Sequence, residues 1–273
     1  MSQLVYDKFI LFGDSITQFS TSQQNGFGMH PALQDLYARK LDILNRGYGG
    51  YNSDHAVLIL PEILKAELND AKDNVKLMTI FFGTNDAFEI EDDINDIQAV
   101  PLERYKKNIS KLTELCLENN IKPIIIGPSL HDNRIAKIGY EERGRPTDKD
   151  ATSNKRYLSY SLAAEEVAKE NNVAFVNMWE AFREFGGWTI EQLVASNGSS
   201  DDETFIPLGD LLIDGVHFTP EAYRILFKKV VESINKTYPE FDATNIPEKL
   251  SYWQNINPKD QKNSIFKSIQ RGQ

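Results

Sequence analysis

A serine, an amide and an Asp-x-x-His pair each occur in this sequence within two residues of a glycine. Ser15 follows the apolar run 9–12 in "FILFGDSITQ", Asn85 lies in "FFGTNDAFE", and Asp214 and His217 lie in "LLIDGVHFTPEAY". A carboxylate three residues before a histidine can accept the imidazole Nδ1–H, which leaves Nε2 to take a proton from a serine. An amide can donate a hydrogen bond to a developing oxyanion. Together these residue types would supply a nucleophile, an oriented base and an oxyanion donor.

Each of these residues also has a purely structural interpretation. Ser15 follows Gly13 and Asp14, which are residue types that turn the chain and begin helices. Asn85 suits a turn, and His217 suits a solvated loop. The residues taken singly therefore leave both interpretations open, and the elements that position them have to decide.

Short apolar segments alternate with amphipathic segments along the chain. Predicted strands lie at residues 9–12, 41–45, 75–83, 122–128 and 173–178, and predicted helices lie at about 28–40, 53–67, 101–119, 154–171 and 220–236. This alternation predicts βαβ units and a parallel sheet covered on both faces. Ligands of such sheets bind outside the carboxyl ends of the strands. Because Ser15 and Asn85 directly follow predicted strands, we expect them at that edge.

The segment "NRGYGGYNS" follows the second predicted strand and contains three glycines. Gly47, Gly49 and Gly50 bring bare backbone close to a neighbour, and such turns either satisfy tight geometry or present N–H groups to an anion. Asn52 and Ser53 are suited to capping the next helix. The turn by itself has low specificity, but it ends at the same predicted edge.

Composition and charge limit the class of partner. The chain has 273 residues, with 30 Lys+Arg against 40 Asp+Glu and a formal net charge of −10. This balance disfavours nucleic acid and anionic membranes as partners. No segment approaches the roughly 20 apolar residues of a membrane span, and the amino terminus has no apolar run of signal-peptide length. The single Cys116 excludes an intramolecular disulfide and predicts an intracellular, cytoplasmic location; its helical spacing predicts packing.

Three further histidines and one acidic run are competing candidates. His131 follows the fourth predicted strand, and we expect it to line the site or face solvent rather than act as a base. His55 and His30 have no carboxylate at a useful spacing. The run "EDDIND" (91–96) lacks the calcium-loop pattern, so a solvated loop is expected. No dinucleotide-binding or phosphate-loop motif occurs, and we expect neither a metal nor an organic cofactor.

Two segments interrupt the alternation, and the chain ends in an extension. Residues 131–153 are highly charged and residues 196–210 are small and acidic, so both are predicted to be long surface loops. The first leaves a strand end, and we interpret it as a flap bordering the cleft. We expect residues 1–273 to form a single domain with a C-terminal extension from about 239. Tyr252 and Trp253 predict that part of the extension packs on the rest of the domain.

The four motifs occur in the order found in the GDSL-type esterases, or SGNH hydrolases, which the chain resembles. They are "FGDSIT", "RGYGGYNS", "FGTND" and "DGVH". The resemblance covers about residues 9–255 and is closest to the isoamyl acetate-hydrolysing esterase branch, through "LDILNRGYGGYNS", "ILPEILK", "TIFFGTNDA" and "KPIIIGP". Ile16 replaces the leucine of the family name, which is a conservative change. The absence of a Gly-x-Ser-x-Gly motif separates the chain from the α/β-hydrolases.

The resemblance implies a role for each motif residue. Ser15 would be the nucleophile, His217 the base, and Asp214 the carboxylate that orients the base. The Ser15 N–H, Gly50 and Asn85 would form the oxyanion hole. Gly50 is preferred to the glycine before it because of its spacing to "YNS".

We therefore expect a flavodoxin-like three-layer α/β fold with a five-stranded parallel sheet in the order 2-1-3-4-5. The expected function is hydrolysis of short-chain carboxylic esters, with acetate esters such as isoamyl acetate as first candidates, through a serine acyl-enzyme. The alternatives are other acyl hydrolases, which act on lysophospholipids, thioesters or O-acetylated sugars, and a non-catalytic binding module on the same fold. The expected partner is a small-molecule ester. The oligomeric state, including a homo-oligomer, stays open.

Overall fold

Five strands form one parallel sheet in the computed structural model, which describes residues 4–24, 26–70, 72–89, 98–142, 152–196 and 206–266. The strands are β1 (Asp7–Gly13), β2 (Leu41–Gly47), β3 (Val75–Phe81), β4 (Lys122–Gly127) and β5 (Ala174–Asn177). Their spatial order is β2-β1-β3-β4-β5, and every neighbouring pair is parallel. The predicted fold class and strand order are confirmed.

Helices connect the strands and cover both sides of the sheet. Those in the described part of the chain are α1 (Ser15–Phe19), α2 (Met29–Leu36), α3 (Ser53–Glu67), α4 (Leu102–Glu118), α5 (Asn133–Glu142), α6 (Asn154–Glu170), α7 (Met178–Gly186), α8 (Ile190–Ala195), α9 (Pro220–Thr237) and α10 (Gln261–Ile265), with 3-10 turns at Pro239–Phe241 and Trp253–Asn255. The five predicted helices correspond to α2, α3, α4, α6 and α9. Of the helices that were not predicted, α1 and α8 have only 5 and 6 residues, too few for an apolar period to be visible. Within the described ranges, no helix has the length and apolar character needed to cross a membrane.

Strand β1 is buried because its sequence is apolar on both faces. Phe9, Ile10, Leu11 and Phe12 are fully buried in β1, which lies between β2 and β3. A strand with neighbours on both sides and helices above and below requires such a continuous apolar run. One core cluster extends from these residues to Ala243, so the C-terminal extension contributes to the same core.

The strand register brings three connecting segments to one edge of the sheet. Gly13 at the end of β1 is paired with Gly47 of β2 and with Phe81 of β3. The residues that follow these positions therefore leave the sheet side by side. Ser15, the glycine turn after β2 and the "GTND" segment after β3 meet at this edge, which is where parallel sheets bind ligands.

The prediction of a surface loop over residues 131–153 is wrong for the part that the structure describes. Its first three residues are buried, and α5 begins at the third of them. The helix packs Ala136 and Tyr140 against Phe88 in a small apolar cluster. Two apolar residues four positions apart are enough to bury one helix face, and the surrounding charged residues obscured them. Residues 143–151 lie outside the described residues.

The segment 196–210 is described only at its two ends. The Ile206 N–H donates to Ser196 Oγ at 3.1 Å, so the two ends are joined. Leu208 is buried, and its N–H donates to Asp132 Oδ2 at 3.4 Å. The described residues 206–210 form no helix or strand, and apart from Leu208 they are exposed or half-buried, which agrees with the predicted surface loop. Residues 197–205 lie outside the described part of the chain.

The C-terminal extension packs along the segment that connects α2 to β2. Tyr37 Oη and the Arg39 guanidinium each donate a hydrogen bond of 2.9 Å to a backbone carbonyl of the extension. Tyr252 and Trp253, on which the prediction of packing was based, are instead exposed and contact each other. The extension does pack on the domain, but through these backbone carbonyls and the side chains of Phe241, Ala243 and Ile246 rather than through Tyr252 and Trp253.

Candidate active site

Ser15 lies at the start of α1, immediately after β1. Asp14 caps this helix, because its Oδ1 accepts a hydrogen bond from the Ile16 N–H at 2.9 Å. The helix cap expected at this turn is therefore Asp14, and the serine hydroxyl is not used for capping. Ser15 Oγ lies 2.9 Å from Nε2 of His217. This distance allows direct proton transfer between the hydroxyl and the imidazole.

His217 and Asp214 are brought together by a tight loop that precedes α9. Asp214 Oδ2 lies 2.7 Å from Nδ1 of His217, and Asp214 Oδ1 accepts the N–H groups of Val216 and His217 at 3.1 and 2.8 Å. The Ile213 N–H donates to the His217 carbonyl at 2.8 Å, and Thr219 caps α9. The loop therefore holds the carboxylate against the imidazole with a network of backbone hydrogen bonds.

The hydrogen bonds in this loop also set the charge of Asp214. Partial burial alone would raise the pKa of Asp214, but the hydrogen bonds from the His217 side chain and backbone outweigh it. The pKa of Asp214 is therefore held well below its ordinary value. The ionised carboxylate favours the tautomer with the proton on Nδ1 of His217, which leaves the Nε2 lone pair directed at Ser15.

Asn85 is attached by its side chain to the glycine turn. Its Nδ2 donates to the Tyr51 carbonyl at 2.8 Å. An amide nitrogen carries two hydrogens, so Asn85 retains one donor for a ligand. Gly83, with φ of +128°, turns the chain sharply between β3 and Asn85. The turn thereby brings the amide to the same edge as Ser15.

The two candidate glycines of the turn after β2 differ in their hydrogen bonding. The Gly49 N–H donates to Gln18 Oε1 at 2.7 Å. The N–H groups of Gly50 and Ser15 have no hydrogen-bond partner among the residues that the structure describes. Gly50 has φ of +78°, a conformation that glycine adopts without strain. This geometry favours Gly50 over Gly49 as a donor to a bound ligand.

Two buried carboxyl groups adjoin the motif residues, and no sequence pattern indicated their environment. Asp14 and Asp86 are fully buried, and burial raises the pKa of each to about 7. Hydrogen bonds from Ile16 and Ser53, respectively, oppose part of this effect. Asp86 Oδ1 accepts the Ser53 N–H at 3.0 Å, which fixes the start of α3 to the end of β3.

The other three histidines pack in the protein or contact its backbone, and within the described residues none of them is hydrogen-bonded to Ser15. His131 is buried, stacked on Tyr157 with ring centroids 5.7 Å apart and in edge contact with Phe88 at 6.1 Å. The expectation that it lines the site or faces solvent is therefore wrong. His55 completes the cap of α3, and Nε2 of His30 lies 3.0 Å from a backbone carbonyl of β2.

Cys116 does not contribute a reactive group to the site. Cys116 is buried, and burial raises the pKa of its thiol to about 12, which confirms the prediction of packing. The acidic run 91–96 lies outside the described residues. Across the ranges that the structure covers, no group of three or more His, Cys, Asp or Glu side chains is arranged to hold a metal ion.

Two glutamines contact the site without belonging to any motif. Gln18 accepts the N–H of Gly49, and Gln98 contacts both Gly50 and Asn85. Glutamine has no characteristic spacing, so its participation depends on which segments the fold brings together. No signal in the sequence could have identified either residue.

Curated relatives match almost the whole chain. An isoamyl acetate-hydrolyzing esterase of Saccharomyces cerevisiae is 34% identical over 257 residues, which cover 92% of this chain and 95% of the relative. The human isoamyl acetate-hydrolyzing esterase 1 homolog is 29% identical, and the match covers 93% of this chain and 90% of the relative.

The fold is also similar to solved structures, at lower identity. A catalytic mutant of Axe2, an acetylxylan esterase from Geobacillus stearothermophilus, is similar with a TM-score of 0.59 and 18% identity, covering 84% of this chain and 94% of that one. A lipase/acylhydrolase from Enterococcus faecalis has a TM-score of 0.56 and 20% identity, covering 90% and 100%. The model of the GDSL-like lipase/acylhydrolase family matches residues 9–230. The chain therefore belongs to the GDSL-like lipase/acylhydrolase family and is a carboxylic ester hydrolase.

Proposed function

We propose that this hydrolase uses Ser15 as its nucleophile, His217 as general base and acid, and Asp214 as the group that orients the imidazole. One observation carries the proposal: Asp214 Oδ2 lies 2.7 Å from His217 Nδ1, and His217 Nε2 lies 2.9 Å from Ser15 Oγ. A serine is a weak nucleophile unless an adjacent base removes its proton during attack. This chain of contacts supplies such a base and a carboxylate that stabilises its charged form.

In the acylation step, Ser15 Oγ attacks the ester carbonyl carbon while His217 Nε2 takes the hydroxyl proton. The carbonyl oxygen becomes an oxyanion, and the C–O bond to the alcohol then breaks. His217 returns the proton to the departing alcohol oxygen, which leaves Ser15 acylated. Asp214 stays ionised throughout and stabilises the imidazolium.

In the deacylation step, a water molecule takes the position of the alcohol. His217 accepts a proton from this water, whose oxygen attacks the acyl carbon. The bond to Ser15 Oγ breaks, His217 protonates the serine, and the carboxylic acid is released. Both steps use the same base in the same geometry.

The oxyanion would be stabilised by three donors at the same edge of the sheet. These are the backbone N–H groups of Ser15 and Gly50 and the remaining Nδ2–H of Asn85. Preorganised donors of this kind stabilise the charge that appears only in the transition state. Their free N–H groups and their position beside Ser15 support this assignment.

For the substrate, we propose acetate esters of small apolar alcohols, with isoamyl acetate as the first candidate. The two relatives described above carry that ester in their names and align over nearly the whole chain. Phe19 and Ile213, which adjoin His217, are 43% and 52% exposed, and such exposed apolar side chains favour an alkyl group over a sugar. An intracellular, cytoplasmic location stays part of the proposal, supported by the single cysteine.

The test combines covalent labelling with a panel of esters. We expect a fluorophosphonate to label Ser15, identified by peptide mass spectrometry, and we expect Ser15→Ala to abolish both labelling and hydrolysis of isoamyl acetate. The melting temperature should change by only a few degrees, because the substitution removes a single atom whose hydrogen-bond partner, His217, is partly exposed. Ser110→Ala on α4 is the control and should retain full activity. Activity of Ser15→Ala within tenfold of wild type would disprove the assignment.

A further inference from the structure

A small apolar cavity adjoins His217 on one side of the candidate site. It has a volume of about 250 Å³ and lies between the segment after α1 and the loop before α9. Besides His217 and Asp214, its wall includes Phe19, Phe27, Ile213 and Phe218. Ser15, Gly50 and Asn85 are not among its lining residues. The cavity therefore lies on the imidazole side of the nucleophile, away from the oxyanion donors.

One wall residue of this cavity is packed against α9, and two others are exposed to solvent. Phe27 packs against Phe227 of α9 with ring centroids 5.8 Å apart. Phe19 contacts the His217 ring edge-on at 5.1 Å, yet Phe19 and Ile213 both leave a large fraction of their surface in water. Removing exposed apolar groups from water is favourable, so a ligand that covers these side chains is stabilised. The cavity therefore suits an alkyl group.

The order of events at Ser15 decides which part of the ester enters this cavity. The carbonyl oxygen must turn toward the oxyanion donors, whereas the alcohol oxygen must approach His217 Nε2 to receive its proton. The carbon chain of the alcohol then extends past the imidazole. We infer that the cavity binds the alkyl group of the alcohol, an inference that rests on the proposed function. Its volume is below that of drug-sized ligand sites, so it suits a short or branched chain.

The same cavity would let an alcohol replace water in the second step. An alcohol that leaves past His217 can return by the same path, because each step of the reaction is reversible. His217 takes the proton of the alcohol hydroxyl, and the alcohol oxygen bonds to the acetyl carbon. The bond from that carbon to Ser15 Oγ then breaks, and His217 returns the proton to Ser15 Oγ. The products are a new acetate ester and free Ser15. The acyl-enzyme would therefore transfer acetyl groups preferentially to alcohols that fill the cavity.

This inference is tested by partitioning a common acyl-enzyme between water and added alcohols. The enzyme is supplied with p-nitrophenyl acetate and either methanol or 3-methylbutanol, and the acetate ester and free acetate are measured by gas chromatography. Partition toward the alcohol should rise roughly fourfold per methylene, which corresponds to ~0.8 kcal/mol. Because both nucleophiles attack the same intermediate, the ratio does not depend on the rate of acylation.

Variants of the wall residues make the test specific. In Phe19→Ala and in Ile213→Ala, the advantage of 3-methylbutanol should fall at least fivefold, whereas partition to methanol should stay unchanged. Leu58→Ala on α3 is a matched control, because Leu58 is also exposed and apolar but does not line the cavity. Equal partition to both alcohols in the wild type, or an unchanged preference in both variants, would overturn the inference. A complete lack of p-nitrophenyl acetate hydrolysis would instead disprove the proposed function itself.

A second and independent observation concerns Gln98, which connects two of the proposed oxyanion donors. Its Nε2 donates to the Gly50 carbonyl at 3.2 Å and to Asn85 Oδ1 at 3.4 Å. The backbone carbonyl of Gln98 accepts a hydrogen bond of 2.7 Å from Asn52 Nδ2. One side chain thus contacts the backbone turn after β2 and the amide after β3.

These contacts restrict the orientation of both donors. A glycine at positive φ has access to many backbone conformations, so a hydrogen bond to the Gly50 carbonyl limits the direction of the Gly50 N–H. The donor on Asn85 Oδ1 determines which end of the amide is the nitrogen, and it keeps Nδ2 on the side of Tyr51. We infer that Gln98 is a positioning residue for the oxyanion hole, although it does not itself touch the substrate.

The test compares transition-state binding with ground-state binding. We expect Gln98→Leu to lower kcat by about 10- to 100-fold with little change in KM, because positioning acts on a charge present only in the transition state. Affinity for a trifluoromethyl ketone, which forms a tetrahedral oxyanion on serine, should fall by the same factor as kcat/KM. Gln98→Glu should be no better, since it removes the donor and adds negative charge.

Gln254→Leu in the C-terminal extension is the control and should behave as wild type. A Gln98→Leu enzyme with normal kcat would overturn the role of Gln98. So would a loss of kcat in Gln98→Leu without a parallel loss of trifluoromethyl ketone affinity, since the oxyanion donors would then still be correctly placed.

Discussion

The imidazole of His217 lies near two carboxyl groups that differ in their protonation. Asp214 contacts Nδ1 and is held ionised by several hydrogen bonds, whereas Asp14 is buried and has its pKa raised to about 7. The charge that stabilises a protonated imidazole therefore comes mainly from Asp214. The difference follows from environment alone, because both residues are aspartates.

At the residue scale, Asn85 provides the sharpest kinetic prediction. If its amide donates to the oxyanion, Asn85→Ala should lower kcat by ~10²–10³-fold and leave KM nearly unchanged. Asn85→Asp should be no better than alanine, because a carboxylate would repel the developing charge. Steady-state kinetics on p-nitrophenyl acetate measure both values, and circular dichroism checks folding. A normal kcat with a large rise in KM would mean that Asn85 only holds the substrate.

Alanine variants of His217 and His131 should have opposite effects on activity and stability. His217→Ala should reduce kcat/KM by at least a thousandfold with little change in melting temperature, because the ring is partly exposed in the site. His131→Ala should do the reverse: it removes a ring packed between Tyr157 and Phe88, at a cost of about 1–3 kcal/mol in unfolding free energy. Activity assays well below the melting temperature separate the two effects. The reverse ranking in activity would refute the role proposed for His217.

At the element scale, the loop before α9 depends on its contact with the segment that joins β4 to α5. The Asp132 N–H donates to the Gly215 carbonyl at 3.0 Å, and Asp132 Oδ2 accepts the Leu208 N–H. Gly215 has φ of +83°, and a Cβ added there would lie 2.3 Å from the Asp132 carbonyl oxygen. The segment between β4 and α5 therefore supports the loop that carries Asp214 and His217.

This packing predicts that Gly215→Ala affects both stability and activity. We expect it to lower the unfolding free energy by about 1–3 kcal/mol and kcat/KM by at least tenfold, because the backbone must shift between Asp214 and His217. Gly209→Ala is the control: a Cβ there meets no atom within 4 Å, and its φ is not positive. Denaturant unfolding and ester kinetics check the pair. Equal behaviour of the two variants would show that the loop adapts freely.

At the scale of the whole molecule, the buried carboxyl groups make stability depend on pH. The pKa of Asp86 is raised by burial to about 7, above the roughly 3.9 of an unfolded aspartate. The folded state therefore binds its proton more tightly than the unfolded state. The resulting stability is fully present below about pH 4 and is lost as pH rises through about 7.

The unfolding free energy of wild type should therefore fall between pH 5 and pH 8. In Asp86→Asn this fall should be smaller, by an amount on the order of 2–4 kcal/mol. Asparagine keeps the Oδ1 that accepts the Ser53 N–H but has no charge to bury. Urea unfolding at the two pH values measures the difference. Asp42→Asn, at an exposed position of β2, should follow wild type. Identical pH dependence of Asp86→Asn and wild type would contradict the predicted cost of ionisation.

The amino-acid sequence by itself determined the strands of the sheet and the candidate catalytic residues, and its resemblance to the GDSL-type esterases implied the strand order. Strands such as β1 are encoded by short apolar runs, and Asp214 and His217 are close because only two residues separate them. Ser15 and Asn85 could be located because each directly follows a strand, and parallel strands end at one edge. These are local signals or consequences of a general topological rule.

Only the tertiary structure decided the features that depend on distant segments. The helix α5 is recognisable by the contact of Ala136 and Tyr140 with Phe88, and the raised pKa of Asp86 arises from burial by its surroundings. The contact of Gln98 with Gly50 joins residues 48 positions apart, and the cavity beside His217 is assembled from residues 19–27 and 213–223, which are distant in the sequence. No local pattern encodes such contacts, because they form only when the packed core fixes the separation of the segments.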